Sequence, residues 1–303
     1  MLKPCIKFLF IALGCLFSLK TFAARVDTLD IPSAGMKKTL RAAVVLPDSY
    51  AAAGSAKSKK AAAQTAYPVL YLLHGGYGHF NDWLAKTPDK TLLHRLADQY
   101  NLIIVMPEGD VFSYYLDSPI LQNSQFETYL TKDVIDKIDN TYRTIRDKKG
   151  RVITGLSMGG YGALYLATRH PDLYCAAGSM SGALNPDMTT WKLPPDPTKN
   201  IKREFEKILG SYEQSADGWA AYSVVGMADK MKANGLRLVI DCGVDDFLIE
   251  PNRELHRRLV FNQTPHDYSE RPGGHSWEYW QNSLPNHVLF FSNVLKANGS
   301  TAQ

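Results

Sequence analysis

A chain of 303 residues with 45% hydrophobic and 11% aromatic content carries enough apolar side chain for one large core, which excludes a disordered polypeptide. Its formal charge of +4 includes Lys3, Lys7 and Lys20; without those three, 31 of the 34 basic residues face 30 acidic ones. So even a balance gives no electrostatic reason to bind nucleic acid.

The first residues read as an export signal. Lys3 and Lys7 precede an apolar run over 8–19, and Thr21-Phe22-Ala23 places small residues where signal peptidase reads, so cleavage is expected after Ala23. The run is short for a membrane span, and no span is expected after cleavage. A competing reading is a lipoprotein signal ending at Cys15, but Ala12-Leu13-Gly14-Cys15 is an imperfect match and apolar residues follow it. The expected product is secreted or periplasmic, a single domain over 24–303. Of its two remaining cysteines, Cys175 starts one predicted strand and Cys242 follows the end of another. In parallel neighbours those positions lie at opposite sheet edges, too far apart for a disulfide.

Residues 39–46 alternate and are rich in β-branched side chains, which predicts a strand. Residues 51–66, mostly Ala, Ser and Lys, have no apolar face and read as an exposed loop. The runs 69–73 (VLYLL) and 102–106 (LIIVM) read as strands buried on both faces. Leu130, Val134, Ile138 and Tyr142 recur every four residues, as on an amphipathic helix. A strand over 151–154 precedes a helix over 161–170 that stops at Pro171. Further strands are predicted over 175–180, 236–241 and 266–271, with a closing helix over 285–296. Strands alternating with helices imply right-handed βαβ units and a mostly parallel sheet flanked by helices. Residues 183–234, with four prolines and a helical piece over 201–209, break that rhythm and read as an insertion, or cap, over the active-site edge.

Gly155-Leu156-Ser157-Met158-Gly159 is a G-x-S-x-G sequence between a predicted strand and a predicted helix. A turn that tight needs small residues around a serine held up at the carboxyl end of a sheet. A serine hydroxyl needs a base, and in this arrangement the acid and base follow it along the chain. Of the eight histidines, His170, His256, His266 and His287 fall in predicted helices or a strand, whereas His275 follows the flexible Pro272-Gly273-Gly274 loop that can reach back to Ser157. The acid is expected after the strand 236–241, where Asp245 and Asp246 are adjacent and spacing alone does not choose between them; Asp241, still in the strand, is the outsider. The tetrahedral oxyanion needs preorganised donors. The Met158 amide is one candidate, and the glycine-rich His74-Gly75-Gly76-Tyr77-Gly78 offers Gly76 as the second, with Gly75 or Tyr77 as alternatives. His74 reads as structural.

These motifs resemble the esterase D or S-formylglutathione hydrolase-like group of the α/β-hydrolase superfamily, which includes tributyrin esterases, feruloyl esterases and the mycolyltransferases. The likeness runs through residues 67–76, Asp82-Trp83, Met106-Pro107-Glu108-Gly109, residues 155–163, 242–248 and 272–277, nearly all of the chain after the leader. It implies the α/β-hydrolase fold, Asp246 as the acid because it precedes Phe247-Leu248, oxyanion donors at Gly76 and Met158, and no cofactor. The residues Ser113-Tyr114-Tyr115-Leu116-Asp117 match the group's aromatic segment only loosely.

The leading expectation is a serine carboxylic-ester hydrolase acting through an acyl-enzyme on small acyl or aromatic-acid esters. Export suggests acetyl or feruloyl esters of plant polysaccharide, with Trp83, Tyr114, Tyr115 and Trp277 as aromatic contacts or, equally, as core. The alternatives are S-formylglutathione hydrolysis, against which export argues, acyl transfer to a sugar, and a non-catalytic carbohydrate-binding relative.

Overall fold

Strands β1 (Arg25–Ser33) and β2 (Lys38–Leu46) form an antiparallel hairpin in which Arg25 faces Leu46 and Ser33 faces Lys38. This computed structural model describes residues 25–52, 65–215 and 219–302. The leader over 1–23, with Cys15, lies outside the described residues, as does most of the Ala/Lys-rich stretch, 53–64. The hairpin enters an eight-stranded sheet of order β1-β2-β4-β3-β5-β6-β7-β8. Strand β2 pairs antiparallel with β4 (Ile103–Pro107), and every later neighbour is parallel: β3 (Val69–Leu73), β5 (Arg151–Gly155), β6 (Ala176–Met180), β7 (Arg237–Gly243) and β8 (His266–Arg271).

The central strands β3, β4, β5 and β6 are buried at every position, because both of their faces are covered by helices. Two apolar clusters result, one on each face. On one side lie α1 (Leu92–Tyr100) and α6 (Trp277–Ala297). On the other lie α2 (Ile135–Thr141), α3 (Met158–Arg169) and α5 (Ile249–Phe261). A π-helical stretch, Tyr129–Val134, leads into α2, so the four-residue recurrence seen in the sequence crosses a change of helix type.

The predicted, mostly parallel α/β architecture holds. One strand and several boundaries differ. Strand β1 carries no clear apolar pattern in the sequence, because its edge position leaves Arg25, Val26, Thr28, Asp30 and Pro32 exposed. Helix α3 starts at Met158 instead of 161, since the turn after β5 takes only Leu156 and Ser157. Strand β7 runs two residues past Asp241 and carries Cys242. Helix α6 starts at Trp277 and runs through Pro285, because the Ser276 side chain caps it by accepting from the Tyr279 amide. Cys175 and Cys242 are free, at opposite ends of neighbouring parallel strands.

The insertion contains α4 (Pro195–Leu209), which begins before 201. Pro194 is its N-cap, and Pro195 and Pro197 fall in its first turn, where a missing N–H costs no helical bond. Phe205 of α4 meets Phe112 and Tyr114 at ring-centroid distances of 5.4 and 4.2 Å, and Trp219 at 5.3 Å. The insertion is thereby packed onto the loop that follows β4.

Candidate active site

Ser157 sits between β5 and α3 with φ 54° and ψ −117°, a conformation that strains any residue with a β-carbon. Its amide donates to Met180 O at 2.9 Å, and its carbonyl accepts from Tyr161 N at 3.0 Å and Ala183 N at 3.2 Å, which holds the strained turn in place. The flanking glycines are steric requirements. A β-carbon on Gly159 would stand 2.6 Å from the carbonyl oxygens of Leu73 and His74, and one on Gly155 would stand 2.6 Å from the Gly159 backbone.

His275 Nε2 lies 3.0 Å from Ser157 Oγ, and its Nδ1 lies 2.9 and 3.1 Å from the two carboxylate oxygens of Asp246. Asp246 is 1% exposed and also accepts from the Leu248 amide at 2.9 Å, whereas Asp245 is exposed. Of the two adjacent carboxylates, Asp246 is the one that faces the imidazole. The imidazole is held from the sides by Phe247 and Trp280, with ring centroids at 4.6 and 4.8 Å. Three side chains separated by 118 and 29 residues thus meet at the carboxyl edge of the sheet. A hydroxyl, an imidazole and a buried carboxylate in series are suited to moving a proton off the hydroxyl while stabilising the imidazolium that results.

The loop after β3 lies against this group. A β-carbon on Gly75 would stand 2.5 Å from Leu156 Cδ1 and 3.4 Å from Ser157 Cβ. Among the described residues the amides of Gly75, Gly76 and Met158 have no acceptor, so Gly75 stays open as a donor, while the Tyr77 amide is taken by Val111 O at 2.6 Å, which removes Tyr77 as an alternative. Met158 is the first residue of α3, so its free N–H coincides with the positive end of that helix.

The aromatic residues expected to touch a ligand divide. Trp83 is 1% exposed and donates from Nε1 to Leu73 O at 3.1 Å; Tyr115 is fully buried and donates from its hydroxyl to His74 O at 2.9 Å. Both are core residues with satisfied polar tips, which corrects their reading as ligand contacts. Tyr114, 4% exposed, joins them. Trp277 is partly buried and meets Trp83 and Trp280 edge-on at 5.3 and 5.4 Å. Exposed apolar side chains at the loop after β3 are Tyr77, 62% exposed, and, bonded to it through its carbonyl, Val111, 43% exposed. The positive φ of Tyr77, 57°, is a local feature with no composition signal. Among the described residues no group of three or more His, Cys, Asp or Glu is arranged to hold a metal ion, and no helix is long and apolar enough to cross a membrane.

The chain matches the family Esterase, described as "Putative esterase", over residues 33–291. It is 26% identical over 237 residues to an acetyl esterase from Caldicellulosiruptor saccharolyticus, covering 75% of this chain and 84% of that protein. A solved ferulic acid esterase superposes with a TM-score of 0.71 at 28% identity, covering 90% of this chain and 98% of that one. An S-formylglutathione hydrolase from Staphylococcus aureus has the same fold, with a TM-score of 0.68 at 20% identity over 89% of this chain and 99% of that one. The chain belongs to the Esterase family, and it is a hydrolase built on the α/β-hydrolase fold.

Proposed function

We propose that this protein is a serine carboxylic-ester hydrolase with Ser157 as nucleophile, His275 as base and Asp246 as the acid that orients it. The observation that carries the reading is the 3.0 Å approach of His275 Nε2 to Ser157 Oγ, with Asp246 on the other ring nitrogen. Ser157 Oγ attacks the ester carbonyl as His275 takes its proton. The oxyanion that forms is met by the Gly76 and Met158 amides. His275 then gives the proton to the leaving alcohol, which leaves an acyl-Ser157 ester. Water, deprotonated by the same imidazole, hydrolyses that ester and restores the hydroxyl. No cofactor enters these steps.

The proposed substrates are small acyl or aromatic-acid esters, including acetyl or feruloyl esters of plant polysaccharide. The acetyl esterase and ferulic acid esterase relatives support this choice, as do the exposed Tyr77 ring and the half-buried Phe247 and Trp277 near the triad. An export signal ending at Ala23 would deliver the enzyme to such polymers outside the cytoplasm. Thioester hydrolysis and acyl transfer to a sugar use the same three side chains and are separated from this reading by acceptor and substrate alone. The test is turnover by the purified protein of p-nitrophenyl acetate, methyl ferulate, acetylated xylan and S-formylglutathione, with and without a sugar acceptor. Turnover of acetylated xylan or methyl ferulate is expected to exceed that of the thioester. No turnover of any of them, together with a Ser157 that does not react with a fluorophosphonate, would reject the hydrolase chemistry assigned to these residues.

A further inference from the structure

We propose that His74 and Tyr115 are positioning residues for the oxyanion hole, each holding a carbonyl whose peptide unit carries a candidate donor, the Gly76 N–H for His74 and the Gly75 N–H for Tyr115. This inference rests on the esterase mechanism proposed above.

The His74 ring is 2% exposed, and its Nε2 lies 2.8 Å from the Gly109 backbone nitrogen. A backbone N–H can only donate, so Nε2 accepts from Gly109, with Glu108 Oε1 3.4 Å away, and the ring N–H is assigned to Nδ1. Nδ1 lies 2.8 Å from Gly75 O and therefore donates to it. The Gly78 amide adds a second donor to the same oxygen at 3.2 Å. That carbonyl and the Gly76 N–H belong to one planar peptide unit. In a trans peptide the two groups point in opposite directions, so fixing the oxygen against His74 turns the Gly76 N–H to the other side. Hydrogen bonding at the oxygen also polarises the amide and strengthens its N–H as a donor.

Tyr115 acts in the same way one peptide earlier. Its hydroxyl donates to His74 O at 2.9 Å, and that carbonyl shares a peptide unit with the Gly75 N–H. Tyr115 holds φ 56°, and Tyr114 before it φ 51°, a strained pair in a fully buried position. The ring is wedged in place from two sides: a β-carbon on either Gly109 or Gly162 would overlap it. Gly162 belongs to α3, the helix whose first amide is Met158. The Tyr115 ring thus connects the two segments that supply the oxyanion donors and fixes their separation.

The sequence supplies the parts without showing the arrangement. His74 precedes the glycines, Gly109 follows Pro107-Glu108, and Tyr115 lies in the aromatic segment. Nothing in their spacing shows that they share one set of hydrogen bonds.

Tyr115→Phe keeps the ring and removes only the hydroxyl. It is expected to lower kcat on p-nitrophenyl acetate by about tenfold, the scale of one neutral hydrogen bond felt in the transition state. KM should stay near wild type, and the thermal midpoint should fall by no more than the loss of one buried hydrogen bond. Binding of a trifluoromethyl ketone, which forms an oxyanion on Ser157, should weaken by the same factor as kcat. His74→Leu should cost more than Tyr115→Phe, and His74→Asn, whose side-chain amide can donate from near the Nδ1 position, should recover part of the loss. A rise in KM with kcat unchanged, or an unchanged ketone affinity, would overturn the proposal. If His74→Leu does not fold, Tyr115→Phe alone decides. The 1H–15N signals of Gly75 and Gly76 in a Ser157→Ala background give a readout independent of activity. They should move on Tyr115→Phe, and signals that stay in place overturn the proposal even if the esterase assignment itself fails.

Discussion

The Asp245 amide donates to Gly273 O at 3.0 Å, so the loop bearing Asp246 and the loop bearing His275 are joined through their backbones before their side chains meet. The Val244 amide reinforces this by donating to Arg271 O at 3.0 Å. The contact depends on a glycine, since a β-carbon on Gly243 would overlap the Gly273 carbonyl. Gly243→Ala should therefore separate the two loops. Backbone atoms cannot swing away as a side chain can, so a loss of stability on the order of 1–3 kcal/mol is expected from overpacking. Urea unfolding measures that loss, and the same variant should show a lower kcat because His275 is displaced from Ser157.

Asp245 contributes its backbone to that contact and Asp246 its side chain. Asp246→Asn should lower kcat by roughly 10⁴-fold, as an amide in the place of a triad carboxylate leaves the imidazole in the wrong tautomer. Asp245→Asn should leave kcat near wild type. Steady-state rates on p-nitrophenyl acetate compare the two, and the reverse order would mean that the wrong carboxylate has been assigned.

Ser157 pays a conformational cost for its position, and substitution there separates chemistry from strain. Both Ser157→Ala and Ser157→Gly should be inactive. Glycine adopts φ 54° without a steric penalty and alanine does not, so Ser157→Gly should melt above Ser157→Ala, by an amount equivalent to about 1 kcal/mol. Equal midpoints for the two would show that the turn is not strained.

A pH effect on stability is expected away from the active site. The Arg253 guanidinium holds the Glu270 carboxylate down to about 2, against the opposing pull of burial and with help from the Tyr268 hydroxyl. Arg253 reaches both oxygens, at 2.8 and 2.7 Å. A carboxylate whose folded-state value lies below its ordinary 4.5 stabilises the fold fully above 4.5 and loses that contribution as the pH falls through about 2. Glu270→Gln should lower the thermal midpoint at pH 6, and the gap from wild type should narrow steadily below pH 4.5. Calorimetry across that range is the check; a gap that does not vary with pH would remove the ion pair as its source.

The cysteines give a combined test of folding and processing. Burial pushes the Cys175 thiol up to about 11 and the Cys242 thiol higher still, so both should react slowly with a thiol reagent at pH 8 in the native protein. In denaturant, material cleaved after Ala23 should release two thiols, whereas the uncleaved chain would release all four.

The parts of this site that the sequence shows are those fixed by local chemistry. Gly155 and Gly159 are needed wherever a serine stands on so tight a turn, and Pro272-Gly273-Gly274 marks a loop ahead of His275. What the sequence does not show is long-range. Asp245 and Asp246 are adjacent, so spacing from the strand does not choose between them; in the fold the Asp245 amide is tied to Gly273 O, with Asp245 outward and Asp246 buried. Trp83 and Tyr115 look like ligand contacts by type, because an aromatic side chain carries no mark of whether the core closes over it. Pro285 looks like the start of a helix because a capping serine eight residues of helix earlier is invisible to a pattern of apolar spacing. Strand β1 was obscured by its exposed edge.

Helix α6 begins two residues after His275, and its fourth residue, Trp280, stands edge-on to the imidazole. The helix extends 21 residues to Ala297, lying along β6, β7 and α1. Its first turn backs the imidazole, and the rest of the helix anchors that turn against the sheet. A deletion cutting into its last turns should therefore lower kcat although it removes no residue near Ser157.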